Sequence, residues 1–134
     1  MGADTEISLH RRGFFPAEGG EVRAMIRPSA PQPVELPARG DLRNMRVHAL
    51  VAGVPRDVAE REPKCVTDAF AQAAVEITLL HQSVGPGNVV SLTLEFRHVT
   101  ELFCSFGERG RTAERVADRV VPQACAYGKR GARR

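Results

Sequence analysis

Apolar and polar residues alternate over 5–12, where Ile7 and Leu9 share one face, and again through Val22, Ala24 and Ile26. Period-two alternation marks a half-buried strand, so both runs predict strands, and the breaker-rich stretch from Gly13 to Gly20 predicts a long hairpin loop between them. Four prolines follow between Pro28 and Pro37. Proline fixes φ and restrains its predecessor, so this stretch predicts an extended linker and a domain boundary. Alternation resumes at Met45, Val47, Ala49 and Val51. Ala52-Gly53-Val54-Pro55 then closes a strand and opens a helix reaching Phe70–Ala71. Pro63 falls inside that helix, where a proline costs roughly 3 kcal/mol, so a kink or break is expected near Glu62. A short strand at Val75, Ile77 and Leu79 leads to a loop over 81–88. Two further alternating runs, Val90 to Phe96 and Thr100 to Phe106, flank Arg97-His98 as a tight hairpin. Thr112 is a helix N-cap candidate with Glu114 in the first turn. Ala113, Val116, Ala117, Val120 and Val121 fit the i, i+3, i+4, i+7, i+8 helical template, and Pro122 is expected to end that helix. Residues 123–134 show no periodicity. The order ββ–linker–βαβββα predicts a layered α/β or α+β fold.

Composition narrows the picture. Apolar residues make up 43% of the 134, enough for one core. No apolar run approaches membrane-spanning length, and the N-terminus has neither a basic start nor an apolar h-region. The formal charge is +3, but Lys129, Arg130, Arg133 and Arg134 all fall in the last six residues; without those four it drops to −1. The basic character is therefore a tail, read as solvated rather than as a nucleic-acid interface. Cys65, Cys104 and Cys125 are an odd, widely spaced set. They suggest reduced thiols and a cytoplasmic setting, not a disulfide frame or zinc site.

Motifs that carry chemistry are few. Gly107-Glu108-Arg109-Gly110 lacks the spacing of a phosphate-binding P-loop. His10 and His48 are expected to face solvent from strands, His98 to sit in a turn, and His81, in a loop, is the best isolated candidate for acid–base work. Glu60, Arg61 and Glu62 read as a solvated charge run on a helix. Glu18-Gly19-Gly20 could present backbone amides to a phosphate, though a hairpin turn is the commoner use of such a sequence.

Four segments, in order, resemble the RNA 3′-terminal phosphate cyclase family. The first is Arg12-Gly13-Phe14-Phe15-Pro16-Ala17-Glu18-Gly19-Gly20-Glu21-Val22, with Glu18 standing at the first signature glycine. The second runs from Ala52-Gly53-Val54-Pro55-Arg56 through Val58-Ala59-Glu60-Arg61-Glu62. The third is Gly85-Pro86-Gly87-Asn88. The fourth is Val99-Thr100-Glu101, continued by Gly107-Glu108-Arg109-Gly110 and Ala113-Glu114 with Val116-Ala117. The signature positions are Arg12, Gly13, Pro16, Gly19, Gly20, Gly85, Pro86, Gly87 and Asn88. The resemblance spans roughly 5–121 and is expected to stop there.

The resemblance implies a large domain of repeated βα units interrupted by a small α/β insert. Residues 5–27 would be a hairpin of the large domain, 28–39 the proline-rich linker, and 40–110 the insert. Residues 111–122 would be a helix returning to the large domain, and 123–134 a basic, disordered tail of the kind a shifted reading frame leaves. The implied reaction uses ATP and Mg²⁺. A histidine takes up AMP and passes it to an RNA 3′-phosphate; the neighbouring 2′-OH then displaces AMP and forms a 2′,3′-cyclic phosphate. The family's nucleophilic histidine lies in a Pro-Ser-x-His type segment that does not occur here, so no catalytic residue or metal ligand is assigned and the chain is expected to be a shortened one. Phe103 matches the family's adenine-side aromatic region. The implied partners are RNA 3′-phosphate ends, with no membrane. The alternative is a non-catalytic, cyclase-like RNA- or protein-binding remnant.

Overall fold

A computed structural model describes residues 4–17, 19–30, 33, 35, 38–81 and 85–130 of the chain. Glu18, residues 31, 32, 34, 36 and 37 of the proline-rich linker and the last four tail residues lie outside this set, as do 82–84 of the expected 81–88 loop. The elements run β1 (Asp4–Arg11), β2 (Glu21–Arg27), β3 (Leu42–Ala52), α1 (Arg56–Ala69), β4 (Ala74–Leu80), β5 (Gly87–Phe96), β6 (Thr100–Phe106), α2 (Ala113–Ala117) and α3 (Val120–Arg130). The α+β class read from the sequence stands, with the closing helix in two pieces.

β1 and β2 form an antiparallel hairpin with a sheet of their own. The other four strands form one sheet in the order β4-β3-β5-β6. β4 pairs parallel to β3 through the α1 crossover, while β5 and β6 are antiparallel neighbours. The turn at Arg97-His98 is tight, closed by a bond from the Phe96 N–H to the Val99 carbonyl at 2.8 Å.

The alternating residues Val47, Ala49 and Val51 of β3 and Val90, Leu92 and Leu94 of β5 all face the helices and are buried. Val66 of α1 and Ala113, Val116, Ala117 and Val120 of the closing helices meet them. Fully burying each Val or Leu contributes about 1.5–3 kcal/mol, so this layer is the folding unit's main support.

Two expectations about the helices are corrected. Pro63 does not break α1, which runs continuously from Arg56 to Ala69. Pro63 lacks the N–H that would bond the Ala59 carbonyl, but its ring is fully buried, and packing offsets the lost bond. Nor does Pro122 end the last helix. After a turn at Asp118–Arg119 the chain re-enters helix at Val120, so Pro122 falls in the first turn of α3, where a missing N–H removes no helical bond. Residues 123–130 are therefore helical rather than a disordered tail. Ala124 is buried, and Tyr127 packs against Phe96 and Phe103 with ring centroids 6.0 and 5.8 Å away. Arg39, at the linker's end, donates to the carbonyls of Tyr127 and Gly128, 2.9 Å each, and lies over the Phe96 and Tyr127 rings. A cation at a helix C-terminus also complements its dipole.

Candidate functional site: where the signature segments meet

The loop between β1 and β2 folds back onto the start of β5. Its Ala17 N–H bonds the Phe14 carbonyl at 3.0 Å, making a tight turn. The Phe14 ring lies directly on Gly87: a Cβ there would overlap the ring. Gly85 has φ +78°, a conformation L side chains rarely adopt, and a Cβ on it would come within 2.5 Å of the Ala17 Cβ. The first and third segments are thus in contact, and only glycine fits at the contact points.

Asn88 extends the cluster inward. Its backbone carbonyl accepts from the Gly107 N–H at 2.8 Å, and its side-chain amide fills the space a Cβ on Gly107 would need. The same amide Nδ2 donates to Glu62 Oε1. Pro86 lies beside Gly53. The second and fourth segments are therefore brought in as well, through Gly53 and Glu62 and through Gly107.

Glu62 corrects the solvated charge-run reading. Glu60 and Arg61 are exposed, but Glu62 has 0% exposure. Its Oε2 has no hydrogen-bond partner among the described residues, and burial pushes the carboxyl up to about 7, with the Asn88 bond opposing the shift. The signal was available: Glu62 follows Ala59 by three positions and precedes Val66 by four, which places it on the α1 face that meets the sheet. A helical charge triplet masked it. Ser105, buried on the same face of the sheet, also leaves its Oγ unpartnered.

The remaining residues named from the sequence lie elsewhere or serve the backbone. Gly19 accepts from Arg11 Nε at 2.5 Å and has φ +80°. Arg12, Pro16 and Gly20 are exposed in the loop, and Gly13 sits in an isolated bridge. Phe103 is half-buried in the cluster with Tyr127. The histidines are dispersed. His10 Nε2 is 3.0 Å from Ser8 Oγ and His48 Nε2 is 2.9 Å from Thr78 Oγ1, while His81 and His98 are exposed. Among the described residues, no group of three or more His, Cys, Asp or Glu side chains could hold a metal ion, and no helix is long and apolar enough to cross a membrane.

Outside the cluster, Arg61 joins α1 to α2 through Glu114, with contacts of 2.8 and 2.5 Å. The Glu114 carboxyl is held below its usual value, first by its own backbone N–H and then by Arg61. Glu108 pairs with Arg111 at 2.7 Å and Arg119 at 2.9 Å, bracing the loop after β6.

A helix-covered four-stranded sheet, carrying a glycine-rich turn at the start of β5 on which a hairpin loop is seated, is the class of structure defined so far. The sequence model of the RNA 3′-terminal phosphate cyclase insert domain matches residues 37–128, and the chain belongs to that family. Proteins named RNA 3′-terminal phosphate cyclase are similar along almost the whole chain. One from Pseudomonas fluorescens is 48% identical over 126 residues, covering 92% of this chain and 37% of the relative. One from Pseudomonas aeruginosa is 38% identical over 133 residues, with 98% and 39% covered. One from Salmonella agona is 37% identical over 128 residues, with 95% and 37% covered. The chain thus spans less than two-fifths of the length of these relatives. Contrary to the expected stop at Val121, the insert match runs on to residue 128, through α2 and most of α3.

Proposed function

We propose that this chain is the insert domain, with an attached signature hairpin, of an enzyme that converts RNA 3′-phosphate ends to 2′,3′-cyclic phosphates at the expense of ATP. The convergence of all four signature segments on Gly85-Pro86-Gly87-Asn88 supports this reading, together with relatives that carry the cyclase name. Among the described residues no group of three or more His, Cys, Asp or Glu side chains fits a Mg²⁺–ATP centre. No step of the reaction is therefore assigned to them. The chain's part is architectural. It supplies a self-contained sheet whose glycine-rich turn receives the hairpin loop, so the hairpin is held at a defined place. An adenine-side role for Phe103 rests on its matching position alone.

The test is an adenylylation assay on the purified 134-residue chain with labelled ATP and Mg²⁺, reading acid-labile protein-bound AMP. The expected result is no label on folded protein. Label would make His10, His48, His81 or His98 a working nucleophile and overturn the architectural assignment. The exposed apolar rows of the hairpin favour a second reading, a binding remnant without catalysis. Salt-dependent RNA binding without nucleotide turnover would be its signature.

A further inference from the structure

Glu62 is a buried acid that the architectural role does not require. An apolar residue would fill its place among Ala59, Pro63 and Val66 at lower desolvation cost. Instead one carboxyl oxygen accepts from Asn88 while the other has no donor among the described residues. Asn88 is fixed on its far side by Gly107, so its amide is trapped between Gly107 and Glu62. One residue before Asn88, Gly87 carries the Phe14 ring. Two contacts joined by one peptide bond thus lead from Glu62 through Asn88 to Gly87 and into the hairpin loop.

We propose that Glu62 is the positioning residue for the Gly85–Asn88 turn, and that its proton decides whether the Phe14–Ala17 loop stays seated on that turn. With the proton in place, Glu62 is neutral, tolerates burial and still accepts from Asn88 through Oε1. Without it, a carboxylate with an unpartnered oxygen is buried, and relief comes from exposing it to water. That requires the Asn88 amide to swing away and the turn to move with it. The raised titration of Glu62 to about 7 puts this change near neutrality.

Among the described residues, other charged groups do not offer a substitute partner. On α1, Asp57 and Glu60 engage Arg61 and Arg56 on the exposed side. On α2, Glu114 takes Arg61, and on the loop before it Glu108 takes Arg111 and Arg119. Asp118 acts on Cys65. On the sheet, Arg46, His48, Glu76 and Glu95 have the register of the opposite face. Glu101 of β6 and Arg39 act on Tyr127 of α3. In the hairpin loop Arg11 binds the Gly19 carbonyl. Burial and Asn88 are what shift Glu62.

The experiment is an NMR titration of the full 134-residue chain, from about pH 5 to about pH 9. It follows the cross-peaks between the Phe14 ring and the Gly87 α-protons together with the Glu62 side-chain carboxyl carbon. We expect the cross-peaks to weaken about tenfold as pH rises, with the midpoint of the Glu62 carbon. In Glu62→Gln, which keeps an oxygen for Asn88 and cannot lose a proton, they should persist at both ends. Wild-type cross-peaks indifferent to pH would overturn the proposal, as would a loss in Glu62→Gln with the wild-type midpoint. The wild-type titration decides the matter even if the variant folds poorly. It is read without ATP or RNA, so it stands or falls separately from the enzyme assignment.

Discussion

The β1–β2 hairpin and the four-stranded sheet are built from the same kind of alternating sequence, yet they reach opposite ends. In the sheet, Val47, Ala49, Val90 and Leu92 are fully covered by helices. In the hairpin, Ile7, Leu9, Val22, Met25 and Ile26 remain 50–69% exposed. Alternation reports which side chains share a face; it says nothing of whether anything lies over that face. The sheet brings its own cover in α1, α2 and α3. The hairpin has exposed ion pairs, Arg27 with Asp4 and Glu6, and the seat that Phe14 and Ala17 find on Gly85 and Gly87. A two-stranded hairpin alone is marginal in water, so that seat is what ties it to a stable unit. β4 is an intermediate case: Val75, Ile77 and Leu79 share the helix-side register yet stay 41–52% exposed at the sheet's edge.

The contrast is sharpest in the core. Leu92→Ala should lower the unfolding free energy by about 2–5 kcal/mol, because the cavity lies in a closed layer. Leu9→Ala, in the hairpin, should change it by less than about 0.5 kcal/mol. Urea unfolding of both variants checks this, and equal losses would erase the distinction.

The next effect depends on pH. The folded-state titration of Glu62 at about 7 lies above its ordinary value of 4.5, so the folded protein binds more protons between those values. Its contribution is fully present below about pH 4.5 and is lost as pH rises through about 7. The loss is on the order of 3 kcal/mol. Glu62→Gln should therefore raise the urea midpoint at about pH 8 and change it little at about pH 5.

Gly87→Ala should act on the junction. The added Cβ meets the Phe14 ring, at an overpacking cost of about 1–3 kcal/mol that unseating the loop relieves. Hairpin amides should lose protection while the sheet's urea midpoint barely moves. Arg39→Ala should cost about 1–2 kcal/mol by uncapping α3, seen as lost helical circular dichroism and a lower melting temperature. Smallest is Glu114→Gln, which breaks an exposed bridge to Arg61 and should leave the urea midpoint nearly unchanged.

Much of this architecture was legible in the sequence, for identifiable reasons. The strands showed in strict alternation, and the buried stripe Ala113, Val116, Ala117 and Val120 in its helical spacing. Where local rules failed, tertiary packing had overridden them. Pro63 carries a helix-breaking signal, but its ring is buried in the core. Pro122 reads as a stop only if the helix is one piece; a turn at Asp118–Arg119 makes it a beginning. Glu62 was hidden by Glu60 and Arg61, since charge composition says little about the phase of one residue on a helix. The meeting of the four segments required the register of β5 with β6 and the fold-back of the hairpin loop, long-range facts that no local pattern contains.

Residue-by-residue amide hydrogen exchange on the 134-residue chain would decide whether the sheet is self-sufficient and the hairpin merely seated upon it. Amides of β3 and β5 around Val47–Val51 and Val90–Leu94 should exchange only through global unfolding. Those of β1 and β2 should exchange at least about a hundredfold faster, through local release of the Phe14–Gly87 contact. Equal protection in the two regions would mean that they unfold as one unit, and the division drawn here would be wrong.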